Sequence, residues 1–333
     1  MAEKNSWRDM NRTWLKDVVP LDTPFVIGIE TAATCNFKCV YCIHSAVNFG
    51  GIMKMSLFKK IINDIKGFPQ KLKKLDVFGF GEPLCDPTLA DKIAVAKDAG
   101  ITDNIAFLTN GALFTPPLVD RIISAGVNNI RISLQGLDAE TYKKVCGQKI
   151  DFDKFIENLT YLYENKKQCT VQMKIADIAI KNVEGGREKL EEIFGKISDG
   201  VYVEHIFENF MDVDLDAIDP DLKKQNRLGE SISKTPNKVC ARQFITVTIS
   251  CNGSITSACC DPKRSITYGN ANVDNLVDVW NGKKRYEFLK FQLEGKRFTR
   301  PQCKTCQAPD DVADQRDVLD SYEDEILARM TQT

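Results

Sequence analysis

The order of predicted elements points to an α/β fold with a parallel sheet, followed by a smaller, cysteine-rich α+β part. Over the first two thirds of the chain, β-like apolar runs alternate with helical stretches of roughly 8–15 residues, the pattern of βα units. Past residue 240 two short β runs flank Asn252-Gly253, the strongest short-range hairpin signal. The length agrees: 333 residues exceed the about 250–300 that one core usually holds.

The elements follow in order. Residues 1–24 are polar, with Trp7, Trp14 and Leu15 as anchors for a helix on the domain surface. Pro20 and Pro24 punctuate the entry to the first strand. Strands are predicted over 25–29, 74–78, 104–108, 129–134, 170–175 and 202–207. Helices are predicted over 57–66, 89–99, 117–124, 139–145, 152–165 and 187–194. From about 212 the chain turns acidic and then polar, with Pro220 and Pro236, and reads as a linker over 212–239. After the hairpin come helices over 275–280 and 285–293 and an acidic amphipathic segment over 312–330. The expected plan is an extension 1–24, a core 25–211, the linker 212–239, an auxiliary domain 240–311 and a tail or helix 312–333.

Composition narrows the function classes. Hydrophobic residues at 43% and charged residues at 27% exclude wholesale disorder. No apolar run approaches the ~20 residues of a membrane span, and the first residues lack the apolar stretch of a signal peptide. A cytoplasmic location with no membrane partner is expected. Lys plus Arg number 45 against 46 for Asp plus Glu, so no broad basic field supports nucleic acid binding. With only His44 and His205 present, chemistry built on a histidine cluster is disfavoured.

The twelve cysteines are the anomaly. In a reducing compartment clustered thiols are metal ligands or reactive groups rather than disulfides. Cys35, Cys39 and Cys42 stand directly after the first predicted strand. Three thiolates this close can hold three corners of a [4Fe–4S] cluster, leaving one iron open to a chelating ligand. Spacing alone favours this over zinc, for which His44 would serve as fourth ligand.

TCNFKCVYC (residues 34–42) resembles the Cys-x3-Cys-x-aromatic-Cys signature of the radical S-adenosylmethionine (SAM) enzymes, with Asn36 after the first cysteine and Tyr41 before the third. Gly79-Phe80-Gly81-Glu82-Pro83 resembles that family's GGEP motif, with Phe80 in place of its first glycine. The resemblance implies a partial (β/α)6 barrel over about 25–205. It implies cofactor contacts from Tyr41, Gly81, Glu82, Asn110 and Ser133. It also implies SAM as cofactor and a flavodoxin- or ferredoxin-type electron donor.

A second set, Cys240, Cys259 or Cys260, Cys303 and Cys306, could hold zinc as well as iron–sulfur. The run resembles the family's auxiliary-cluster extension, SPASM in its longer form and twitch in its shorter. The matching features are Cys240 and Phe244, the Asn-Gly turn, Cys-Cys-Asp, Tyr-Gly-Asn and Pro-x-Cys-x-x-Cys. Four ligand positions imply one auxiliary [4Fe–4S] cluster held by Cys240, Cys259, Cys303 and Cys306. The spacing runs one residue wide, so Cys260 is the alternative to Cys259. Cys85, Cys146 and Cys169 read as packed thiols.

The resemblance fixes hydrogen-atom abstraction by a 5′-deoxyadenosyl radical and leaves the substrate open. A single auxiliary cluster resembles the 2-deoxy-scyllo-inosamine dehydrogenase and aminoglycoside epimerase branches, which implies oxidation or epimerisation of a sugar, aminocyclitol or related polyol. A peptide- or protein-modifying maturase, or a peptide epimerase, is the alternative. Oxidation needs a base, for which Asp261 and Glu204 are candidates. Epimerisation needs a thiol hydrogen donor, for which Cys251 and Cys260 are available.

Overall fold

The computed structural model describes residues 13–46, 50–207, 213–225, 229, 231, 236–257, 261, 263–304, 306–310 and 314–331. Trp7, Cys259 and Cys260 lie outside these residues.

A nine-stranded sheet organises the chain, in the order β6-β5-β4-β3-β2-β1-β7-β8-β9. Six strands follow one another in parallel: β1 (Val26–Ile29), β2 (Lys74–Val77), β3 (Ile105–Thr109), β4 (Asn129–Leu134), β5 (Thr170–Ala176) and β6 (Gly200–Glu204). Helices connect them, including Met55–Ile65, Leu89–Asp98, Pro116–Ser124, Ala139–Cys146, Phe152–Asn165 and Gly186–Phe194. This is the expected α/β arrangement of a partial barrel. Strand 6 begins earlier than the sequence suggests, at Gly200 instead of residue 202.

Burial alternates along β2, β4 and most of β5. Ile27, Ile29, Leu75, Val77, Ile130, Ile132, Val171 and Met173 are buried against the helices in one core. Between them the polar residues Asp76, Arg131, Ser133 and Lys174 stand at the alternate positions of β2, β4 and β5. A parallel strand covered on both faces would be apolar throughout. The alternation therefore marks a sheet with helices on one face and a polar lumen on the other.

The C-terminal part continues this sheet. β7 (Thr246–Ile249) pairs in parallel with β1, Val26 opposite Thr246 and Ile29 opposite Ile249. β8 (Ser254–Thr256) returns antiparallel through the expected Asn252-Gly253 turn, and β9 (Thr267–Asn270) pairs antiparallel with β8. Gly253 has φ +91, and a Cβ there would stand 2.3 Å from the Asn272 side chain; only glycine satisfies both conditions.

A second small core joins the two ends of the described chain: Leu15 and Val19 meet Leu289, Leu293, Leu319, Ile326 and Met330. Leu15 anchors as expected, whereas Trp14 is 42% exposed. Among the described residues of the expected amphipathic segment over 312–330, a 3-10 turn covers Gln315–Asp317 and an α-helix covers Glu323–Met330. Ahead of it the Asp320 carboxylate accepts from the Lys238 and Val239 N–H groups, an attachment that holds this stretch out of a continuous helix.

Candidate functional site: two thiol clusters and the cavity between the sheet loops

Because β1–β4 and β7 run parallel, the loops after them emerge at one edge of the sheet, where open parallel sheets and barrels keep their sites. The cysteine loop follows β1. Ala33 N–H donates to Gly51 O, Lys38 N–H to Cys146 O and Val40 N–H to Val145 O. The last turn of helix Ala139–Cys146 thus supports the loop from below. Cys35 Sγ accepts the Phe37 N–H at 3.4 Å. Burial pushes the Cys35 thiol up to about 12, and the nearby Glu82 and Cys42 add to the rise. Cys39 is raised by burial and then by Cys42, Cys146 and Cys35. Cys42 is raised by burial, against the opposing pull of the Lys174 ammonium. The three thiols are desolvated and close enough to raise one another, which disfavours free thiolates and fits the corner ligands of a cationic iron cluster. His44 Nε2 lies 2.9 Å from Ala33 O, an internal bond rather than a metal-facing position. Among the described residues no three His, Cys, Asp or Glu side chains are arranged to hold a single metal ion.

The Gly-Glu-Pro loop after β2 lies on the cysteine loop. A Cβ at Gly81 would stand 2.3 Å from Ala32 O and 2.5 Å from Ala33 C, so this position admits only glycine. Glu82 N–H donates to Thr34 O. The Glu82 side chain turns inward, 3% exposed. It accepts from Leu84 N–H (2.9 Å), Thr109 Oγ1 (2.5 Å) and Asn110 N–H (2.7 Å). Burial pushes its carboxyl up to about 7. Asn110 Nδ2 donates to Asn36 Oδ1 at 2.8 Å, and Tyr41 OH donates to Gln135 Oε1 at 2.5 Å. Glu82, Asn110 and Tyr41 thereby lock the loops after β1, β2, β3 and β4 together. Ser133 faces the lumen opposite Lys174, which pairs with Glu204.

The second thiol set gathers as well. Cys240, Cys303 and Cys306 line a cavity of about 420 Å³ with Gln243, Gln292, Arg297, Ser257 and Asp261. Cys240 and Cys306 are buried. Cys303 is pushed up to about 11 by burial and then by Cys306 and Cys240. Gln292 is fully buried. Its Oε1 accepts the Cys240 N–H at 3.3 Å, while its Nε2 has no partner. An orphaned buried donor beside three thiols fits a group that brings sulfur or other acceptor atoms into the cavity. Ser257 and Asp261, on either side of 258–260, both line it.

Sequence reasoning missed Glu30, although the period-two pattern of β1 puts it on the polar face. Glu30 is 2% exposed. It accepts from Phe80 N–H (3.0 Å), Cys251 N–H (3.1 Å) and Arg264 Nη2 (2.9 Å). It therefore ties the Gly-Glu-Pro loop to the hairpin. Around it lies a cavity of about 380 Å³ lined by Glu30, Phe78, Phe80, Thr248, Ser250, Thr256, Asp261 and Arg264. Asp261 lines both cavities; it accepts from Ser265 Oγ (2.9 Å) and Ile266 N–H (2.6 Å). Glu204 is not among the residues around either cavity, and neither is Cys251, whose Sγ lies 3.9 Å from Gly50 O.

Fold and site together define an iron–sulfur enzyme built on a partial α/β barrel. The sequence profile of the radical SAM superfamily matches residues 29–175, and that of the SPASM iron–sulfur cluster-binding domain matches residues 240–307. The chain belongs to the radical SAM superfamily and carries a C-terminal SPASM domain. Its cofactors are accordingly SAM and [4Fe–4S] clusters, one of them auxiliary.

Among characterised relatives, the AdoMet-dependent heme synthase of Methanosarcina barkeri is 27% identical over 143 residues, 42% of this chain and 40% of that protein. The dTDP-4-amino-4,6-dideoxy-D-glucose ammonia-lyase of Streptomyces venezuelae is 31% identical over 147 residues, 41% of this chain and 28% of that protein. The matched region thus spans two fifths or less of these relatives' lengths. Two solved structures share the fold over nearly their whole length. BtrN in complex with AdoMet and 2-DOIA gives a TM-score of 0.54 at 18% identity, covering 87% of this chain and 97% of that one. Native anSMEcpe with bound AdoMet and Cp18Cys peptide gives 0.59 at 14% identity, covering 92% and 99%.

Proposed function

We propose that this radical SAM enzyme takes a hydrogen atom from a carbinol carbon of a sugar, aminocyclitol or related polyol, and that oxidation to the carbonyl compound follows. The observation that carries the reading is the cavity of about 380 Å³ that shares Asp261 with the auxiliary thiol cavity. It lies beside the loop that carries the Gly-Glu-Pro motif.

In this reading Cys35, Cys39 and Cys42 hold the first cluster. Cys240, Cys303, Cys306 and either Cys259 or Cys260 hold the second. Tyr41, Gly81, Glu82, Asn110 and Ser133 form the SAM side, Gly81 by letting two backbones meet and Glu82 and Asn110 by bracing the loops. When bound, these groups supply a 5′-deoxyadenosyl radical and a one-electron acceptor; a flavodoxin- or ferredoxin-type donor supplies the priming electron.

The chain's own task is to place the alcohol and take its proton. Two carboxylates line the cavity. Glu30 is held by three N–H donors, one of them on a guanidinium, which commits its oxygens to joining the loops. Asp261 accepts from Ser265 Oγ and the Ile266 N–H and lines both cavities, so Asp261 is the base in this assignment. Ser250 rather than Cys251 lines the cavity, which speaks against Cys251 as the hydrogen donor.

A peptide substrate is the second reading, supported by the fold shared with peptide-bound anSMEcpe. Turnover in D2O separates the outcomes. Oxidation gives a product two hydrogens lighter than the substrate, with no solvent deuterium on the reacting carbon. An epimer carrying one deuterium would overturn the oxidative assignment, and modification of peptides alone would overturn the substrate class.

A further inference from the structure

The cavity beside Glu30 holds two polar groups that the protein leaves unsatisfied. Thr248 is 8% exposed and lines the cavity, and its hydroxyl has no hydrogen-bond partner among the described residues. Arg264 donates one bond from Nη2 to Glu30. Its buried Nε–H has no partner among the described residues. A buried donor left unmade is costly, so two such groups around one cavity call for a ligand with acceptor oxygens. Arg264 also has φ +53. This is left-handed backbone that a non-glycine residue holds only when the surroundings over-determine it, often at functional sites. Glu30 is what fixes the guanidinium there.

The remaining walls give the chemistry. Phe78 and Phe80 supply ring surface, and Ser250 and Thr256 add hydroxyl side chains. Two carboxylates, Glu30 and Asp261, stand against one guanidinium, which leaves one formal negative charge around the cavity. That balance repels a phosphate and accepts a neutral or cationic ligand.

We propose that this cavity binds an unphosphorylated cyclitol or amino sugar, with Arg264 Nε–H and the Thr248 hydroxyl bonding two of its oxygens. The inference rests on the polyol reading above and deepens it: Arg264 and Thr248 set substrate specificity, and a phosphorylated or nucleotide-linked sugar is refused.

The test is calorimetric titration of the reconstituted enzyme, with SAM present, using myo-inositol, 2-deoxystreptamine and glucosamine, each beside a monophosphate ester, and a cysteine-containing peptide. At least one unphosphorylated probe is expected to bind, its phosphate ester at least about tenfold more weakly. Arg264→Lys keeps a cation for Glu30 but removes the Nε–H, and should weaken that probe about tenfold. Thr248→Val keeps shape but removes the hydroxyl, and should weaken it severalfold, with Thr248→Ser restoring it. SAM affinity should be unchanged in all three, which separates lost recognition from misfolding. Polyol binding that survives both Arg264→Lys and Thr248→Val, or tighter binding of the phosphate esters, overturns this inference and leaves the polyol reading standing. Binding of the peptide and of no polyol overturns both.

Discussion

Glu82, expected on the cofactor side, has its carboxylate held by three donors that tie adjacent loops together. Burial raises its pKa from 4.5 to about 7. The folded state therefore holds the proton more tightly than the unfolded chain. The sign follows: the contribution is full below about pH 4.5 and is lost as pH rises toward 7, where folding must bury the charged form. The gap corresponds to roughly 3 kcal/mol. In anaerobic thermal unfolding, the midpoint of the wild type should fall more steeply between about pH 5 and 8 than that of Glu82→Gln, which cannot titrate. Equal slopes would show that Glu82 does not change charge in that window. The sequence named Glu82 through its motif, but nothing local shows which way its side chain turns. Thr109 and Asn110, which decide that, lie on the next strand's loop.

Among the elements, helix Leu89–Asp98 is tied to the site by one buried ion pair. Lys92 and Asp86 are both fully buried as side chains, 2.5 Å apart, and Lys92 Nζ also donates to Met53 O at 2.6 Å. The pair fastens the helix to the turn after Gly-Glu-Pro and to the segment that returns from the cysteine loop. Removing one partner of such a pair costs about 3–5 kcal/mol, because the other charge stays buried. Lys92→Met should lower the unfolding free energy by about that much, and adding Asp86→Asn should recover part of it. A loss under about 1 kcal/mol in denaturant unfolding would show that water reaches Asp86. The helix was legible in the sequence, since its apolar spacing and Gly100 bound it well. The partner of Lys92 was not, because a lysine in a helical stretch ordinarily reads as surface.

At the scale of the whole molecule, two cysteine sets on two parts of one sheet should behave separably. The reconstituted protein should carry about eight irons. The triple change of Cys35, Cys39 and Cys42 to Ala should halve that number and abolish SAM cleavage. Cys303→Ser or Cys306→Ser should lower the thermal midpoint, since a structural metal site contributes folding free energy, and should leave part of the SAM cleavage intact. SAM cleavage by the triple variant, or stoichiometric zinc with four irons in the wild type, would break the respective assignment.

The sequence by itself determined the α/β class, the order of the strands, the Asn252-Gly253 hairpin and the two thiol sets. All of these are local: strand and helix periods, turn chemistry and cysteine spacing are written in neighbouring residues. Only the tertiary structure decided that β7 pairs with β1 and carries the hairpin onto the same sheet. Only there do Glu30 and Arg264, 234 positions apart, meet, and only there does Asp261 come to line two cavities. Such contacts join residues whose local sequences carry no mark of one another. They depend on which sheet edge is left open once the six parallel strands have formed, and on the buried polar groups that must then find partners across it.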